Sequence, residues 1–176
     1  LWDTIIANCD RDELKFVMAH EMGHYVLGHV LMGSLLVSLT YAGALGLAAA
    51  LGHRVITKLK ERLGFESLAD LGAIPLLLLF VGVFSFLTAP LLNGFSRHIE
   101  HEADRFALEL TQNNRGAASY FVKSQEHNLM VSRPVALVHF WRGTHPSLAE
   151  RIKFANTYHP WTEEKAGKYE HLFKGN

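Results

Sequence analysis

The sequence predicts a mostly α-helical integral membrane protein, with two membrane-spanning helices between two metal-binding helices and a helical C-terminal segment. Three observations support this. Residues 30–51 and 71–92 contain no charged side chain. Each run is long enough to cross a hydrocarbon core of ~30 Å at ~1.5 Å rise per residue. Elsewhere apolar residues recur at helical spacing, and no stretch alternates as a strand does. The competing reading is a pair of buried helices in a soluble protein, but uncharged runs of about 18 residues or more are rare there.

Composition narrows the functional classes. The chain has 176 residues, 49% hydrophobic and 19% charged, and the charged minority lies outside the two apolar runs. Lys+Arg and Asp+Glu both number 17, so no basic surplus points to nucleic acid, and none is expected as a partner. A single cysteine, Cys9, excludes an internal disulfide framework and a thiolate zinc site. The 11 histidines direct attention to imidazole as a metal ligand. Leu1 is not a methionine, and the first eight residues lack the basic region and cleavage site of a signal peptide. The expectation is a segment of a larger multi-span protein.

Taken in order, Asp10 with Glu13 forms a capping-box pattern opening a helix over residues 11–29, with Leu14, Val17, Met18 and Tyr25 at helical spacing. This first metal-helix segment, 1–29, leads into a span at 30–51, where Gly33, Gly43, Gly46 and Gly52 suit close helix packing. A polar loop is expected at 52–70, and a second span at 71–92 holds Pro75 and Pro90. Residues 93–176 form a second metal-helix and C-terminal segment, with helices predicted at 96–112, 117–128 and 147–158. Gly143-Thr144-His145-Pro146 breaks the chain before the last of them. Arg54, Lys58, Lys60 and Arg62 between the spans favour a cytoplasmic loop, but Arg11, Lys15, Arg97 and Arg105 flank the other side. Charge alone leaves sidedness open.

The segment Ala19-His20-Glu21-Met22-Gly23-His24 carries the strongest chemical signal. Residues four apart on a helix are displaced by only about 40°, so His20 and His24 project together and can hold one cation. Glu21 sits about 100° round, suited to act as a base on water beside the metal. His29 lies five residues beyond His24 and about 180° from His20, so it is expected to face away as an interfacial or packed histidine. It does not match the extended motif either, since Val30 stands where a third histidine would be.

A third ligand is sought in Ser96-Arg97-His98-Ile99-Glu100-His101-Glu102-Ala103-Asp104. Only Glu100 shares a helical face with Asp104, which makes Glu100 the candidate ligand and Asp104 the carboxylate that orients a ligating imidazole. The plainer alternative is a solvated acidic face. An even number of spans between the two segments returns the chain to one side, as a shared site requires. His24 precedes the first span by six residues and Glu100 follows the second by eight, so the site is expected within ~10–12 Å of the bilayer boundary. Substrates there would be membrane-associated or lipid-modified.

Leu1-Trp2-Asp3-Thr4-Ile5-Ile6, the run from His20 to His29, Ser96-Arg97-x-x-Glu100-x-x-Ala103-Asp104, and Thr144-His145-Pro146-Ser147-Leu148-x-Glu150-Arg151 together resemble the integral-membrane CAAX prenyl endopeptidases. That resemblance implies one Zn2+ per chain held by His20, His24 and Glu100, with Glu21 as catalytic base and His145 stabilising the oxyanion. It also implies that Arg151 supports the site, and that the site faces the cytosol from a bacterial inner membrane or the endoplasmic reticulum. The bacterial heat-shock membrane protease shares both zinc motifs and is the alternative enzyme. His24-Tyr25 with His29, and Phe140-Trp141 before His145, look closer to the prenyl endopeptidases. A non-catalytic membrane zinc protein is the rival of another class, but transport sites place ionisable groups inside the spans and neither run has one.

Overall fold

Helices account for the architecture of the computed structural model, which describes residues 3–128 and 131–173, and no strand forms among them. Leu1 and Trp2 of the resemblance motif lie outside the described residues. The helices are α1 (Asp3–Asn8), α2 (Arg11–Val26), α3 (His29–Leu63), α4 (Ile74–Thr111), α5 (Asn114–Asn128), α6 (Ala136–Arg142) and α7 (Leu148–Thr157). The chain divides into one unit of Leu1–Val30 with Asn93–Asn176 and a second of Leu31–Leu92.

The second unit contains most of α3 and the first part of α4. Both helices are long and apolar enough to cross a membrane. Their large side chains are turned outward, with Leu39 70% and Leu87 63% exposed, unlike the core helices of a soluble domain. The polar segment at 52–70 is not a loop throughout. Its Lys-, Arg-, Glu- and Leu-rich first part favours helix, so α3 runs on to Leu63 and stops at Gly64, whose φ of 74° suits glycine. The turn proper is fastened by Asp70, whose carboxylate accepts from the backbone N–H of Glu66 and Ser67. Of the glycines expected at a packing face, Gly52 abuts Leu68, whereas Gly33 and Gly46 face open space.

In the first unit α5 packs against α2 and α7. The core is built from Phe16, Ala19, Ala107, Leu108, Ala117, Phe121, Leu148 and Ala155. Phe16 meets Phe121 edge-on at 5.4 Å, and the alanines let helix backbones approach closely. Gly23 does the same for α2 against α4, since a Cβ there would lie 3.1 Å from the Phe106 ring.

Polar side chains join these elements. The capping box at Asp10 forms as expected, and Glu13, fully buried, also accepts from Ser119 at 2.5 Å and Lys123 at 2.7 Å on α5. Asn114 donates to the carbonyls of Ala155 and Tyr158 and so closes the end of α7. Buried Glu102 accepts from Arg105 at 2.6 Å and from the Lys168 ammonium and Tyr169 hydroxyl. Buried Glu109 accepts from the Tyr158 hydroxyl and from the backbone N–H of Lys168 and Tyr169. These two acids fasten the C-terminal segment to α4.

The predicted helix over 11–29 ends three residues early. Leu27 and Gly28 turn the chain, with Gly28 at φ 69°, and α3 starts afresh at His29. The helix predicted at 96–112 is the second half of the continuous α4, and α6 was not foreseen. Ser147 and Glu150 form the capping box that opens α7.

Candidate metal centre

Two helices supply the converging donors. On α2, His20 and His24 stand one turn apart with their Nε2 atoms 3.2 Å from each other. From α4, Glu100 brings Oε2 to 3.4 Å from His20 Nε2 and Oε1 to 3.5 Å from His24 Nε2. Among the described residues these three form the one group able to hold a metal ion. Zinc binds His and carboxylate at ~2.0–2.2 Å, and the edges of such a tetrahedron measure ~3.3 Å. The donor set and its spacing fit zinc.

Around these donors the supporting groups are ordered. Arg151 donates twice to Asp104, Nε to Oδ2 at 2.7 Å and Nη2 to Oδ1 at 2.6 Å, a bidentate pair that fixes the carboxylate plane. Asp104 is 1% exposed, and its Oδ1 lies 3.0 Å from His20 Nδ1, within reach though not in hydrogen-bond alignment. Burial works against a charge on His20, yet the Asp104 and Glu100 carboxylates outweigh it and raise its pKa to about 9. Burial and the neighbouring His20 push His24 the other way, downward. The Arg151 guanidinium also lies 4.4 Å above the Phe121 ring, tying it to the core.

His145 reaches the same place from the loop between α6 and α7. Its Nε2 is 3.4 Å from Glu100 Oε1, and its side chain is 53% exposed. The Thr144 hydroxyl lies 2.9 Å from its Nδ1, and His139 Nε2 is 2.8 Å from its carbonyl oxygen. From α4, Arg97 donates to Gly143 O at 2.6 Å and His139 O at 3.3 Å, and Asn93 donates to Trp141 O at 2.6 Å. Those contacts hold the loop, and nothing local in the sequence signals them. Glu21 is exposed and lines a cavity of about 240 Å³ together with His20, His24, Glu100, Tyr120 and His145.

All seven residues singled out by sequence therefore meet at one site. The other candidates for a third donor do not. His98 is exposed, His101 packs on Phe154 at 4.3 Å, and Glu102 is committed to Arg105, Lys168 and Tyr169. His29 is packed, at 6% exposed, but it does not face away from the site: its Nδ1 lies 3.1 Å from His24 Nδ1. Helical phase misplaced it because the helix does not continue through Gly28.

Comparison with known proteins points the same way as this geometry. The sequence model of Peptidase family M48 matches residues 1–159. A Bacillus subtilis protein described as uncharacterized metalloprotease YhfN is 41% identical over 166 residues, covering 88% of this chain and 36% of that protein. The CAAX prenyl protease 1 homolog of Dictyostelium discoideum is 34% identical over 158 residues, covering 86% of this chain and 35% of that protein. The human CAAX prenyl protease 1 homolog is 31% identical over 152 residues, covering 85% and 31%. The chain spans about a third of the length of these relatives.

Proposed function

The chain belongs to peptidase family M48, and from that premise we propose that it carries the zinc site of a membrane endopeptidase acting on membrane-associated or lipid-modified substrates. The observation that carries this reading is the tetrahedral spacing of His20 Nε2, His24 Nε2 and a Glu100 carboxylate beside the cavity that Glu21 lines. His20, His24 and Glu100 would hold one Zn2+. Zinc held there supplies Lewis acidity toward a peptide carbonyl and makes water a better acid.

The residues of the chain divide the remaining work. Glu21, exposed to the cavity, takes the proton from the attacking water and returns it to the leaving amine. Thr144 stands at His145 Nδ1, so its hydroxyl can donate there and leave the ring's proton on Nε2, directed toward Glu100 and the cavity. That N–H stabilises the oxyanion of the tetrahedral intermediate. Asp104, gripped by Arg151, holds His20 with Nε2 free for the metal. The two apolar helices set the enzyme in the bilayer, with the site at the cytosolic interface. Similarity to the CAAX prenyl protease 1 homologs favours a CAAX-type prenylated C-terminus as substrate over a misfolded membrane protein.

The test is Glu21→Gln in the whole protein reconstituted into lipid. Hydrolysis of a farnesylated CAAX-type peptide is expected to vanish while one zinc per chain remains. Loss of zinc would make Glu21 a ligand, and full activity would remove it from the chemistry. Equal cleavage of an unmodified, unfolded membrane protein and the farnesylated peptide would support the quality-control protease in place of the prenyl enzyme.

A further inference from the structure

The turn after α2 returns a buried imidazole to the back of a metal-facing one. Leu27 N–H donates to Gly23 O at 2.9 Å and Gly28 N–H to Tyr25 O at 3.2 Å, which closes the helix. Gly28 then adopts φ 69°, a conformation that side chains rarely take. His29 follows, 6% exposed, with its ring 5.1 Å from that of His24 and nearly perpendicular to it at 76°. The contact atoms are Nδ1 and Nδ1, 3.1 Å apart.

Two Nδ1 atoms at this distance attract only if one is protonated and the other is not. His24 Nε2 faces His20 Nε2 at 3.2 Å and Glu100 Oε1 at 3.5 Å, where a ligand must present a lone pair. The His24 proton then belongs on Nδ1, and His29 Nδ1 must accept it, with the His29 proton on Nε2. The reverse arrangement would put the His24 proton on Nε2 and disable the ligand. We propose that His29 is a positioning residue that accepts a hydrogen bond from His24 Nδ1 and so sets the tautomer and ring orientation of that metal ligand. This rests on the zinc reading above. Asp104 stands at the corresponding atom of His20, so the two ligands are backed differently, one by a carboxylate and one by a neutral ring that adds no charge to the site.

The inference is tested by Zn2+ titration of the whole protein against a chromophoric chelator, comparing wild type, His29→Leu and His29→Asn. Leu fills space without an acceptor, whereas Asn can place its amide oxygen near the position of Nδ1. His29→Leu should bind zinc about 10–100-fold more weakly, the scale for losing a partner behind a metal ligand. His29→Asn should recover most of that loss, and the d–d spectrum of the Co2+ form should follow the same order. Unchanged affinity in His29→Leu, or an Asn variant as weak as Leu, would overturn the positioning role. Should His29→Leu fail to fold, 15N spectra of histidine-labelled, zinc-loaded wild type still decide. Protonated His24 Nδ1 facing unprotonated His29 Nδ1 is expected, and the opposite pattern refutes it. Wild type that binds no zinc would instead overturn the metal reading itself.

Discussion

Glu100 and Asp104 are four residues apart on α4 and divide between them the two faces of the α2 histidines. Glu100 meets both Nε2 atoms, and Asp104 sits behind His20 at Nδ1. Glu100→Ala is therefore expected to remove most zinc binding, while His98→Ala, which alters an exposed side chain, leaves it intact. Asp104→Asn should fall between, about 10–100-fold weaker in affinity, because it disturbs the Arg151 pair and the group behind His20 without removing a ligand. Metal titration of the three variants measures this, and normal zinc binding by Glu100→Ala together with loss in His98→Ala would mean another donor set. His20 with His24, and Glu100 with Asp104, were readable because i, i+4 spacing is a local property of a helix, whereas His145 and Arg151 came only from the family resemblance. His29 was misread because phase was carried across Gly28, where the helix stops. Glu102 was unreadable for the opposite reason: Lys168 and Tyr169 lie 66 and 67 residues further on, and no local pattern announces them.

At the scale of elements, α2 keeps its place through Glu13, which is both the N3 member of its own capping box and the anion that receives Ser119 and Lys123 of α5. Burial alone would raise its pKa, but the Lys123, Ser119 and Asp10 hydrogen bonds prevail and hold it below the usual glutamate value. A carboxyl depressed in the folded state stabilises above its unfolded pKa of ~4.3, and that contribution fades as pH falls through the folded value. The thermal stability gap between wild type and Glu13→Gln should thus be wide at neutral pH and close below about pH 4. Melting curves of both proteins across pH 3–8 provide the check, and a gap independent of pH would mean that the Glu13 charge contributes nothing. The capping box at Asp10 was legible because it is short-range. The continuation of α3 to Leu63 was not, because polarity marks where a span leaves lipid and says little about where its helix ends. Short α6 was invisible for want of periodicity. Its apolar side chains are largely exposed, with Leu137 at 70% and Phe140 at 51%.

For the whole molecule, the mostly helical class was the most legible feature, since two uncharged runs and the absence of alternation are properties of composition that tertiary contacts cannot reverse. The pairing of helices in the first unit was much less so. It depends on alanines and on Gly23, whose value lies in what they allow to approach. Within that unit α2 and the second half of α4 are far apart in sequence, and the His20, His24 and Glu100 donors are where a cation would tie them. A ligand that binds only the folded chain stabilises it by RT ln(1 + [L]/Kd), about 4 kcal/mol when free zinc is a thousandfold above Kd. Chelation should therefore lower the melting temperature of the protein, Zn2+ should restore it, and His24→Ala should show neither effect. Calorimetry of the detergent-solubilised protein with and without chelator measures all three. A melting temperature indifferent to chelator in wild type would mean that no cation bridges these helices, because a donor set spaced like a zinc tetrahedron cannot bind the ion without gaining stability from it.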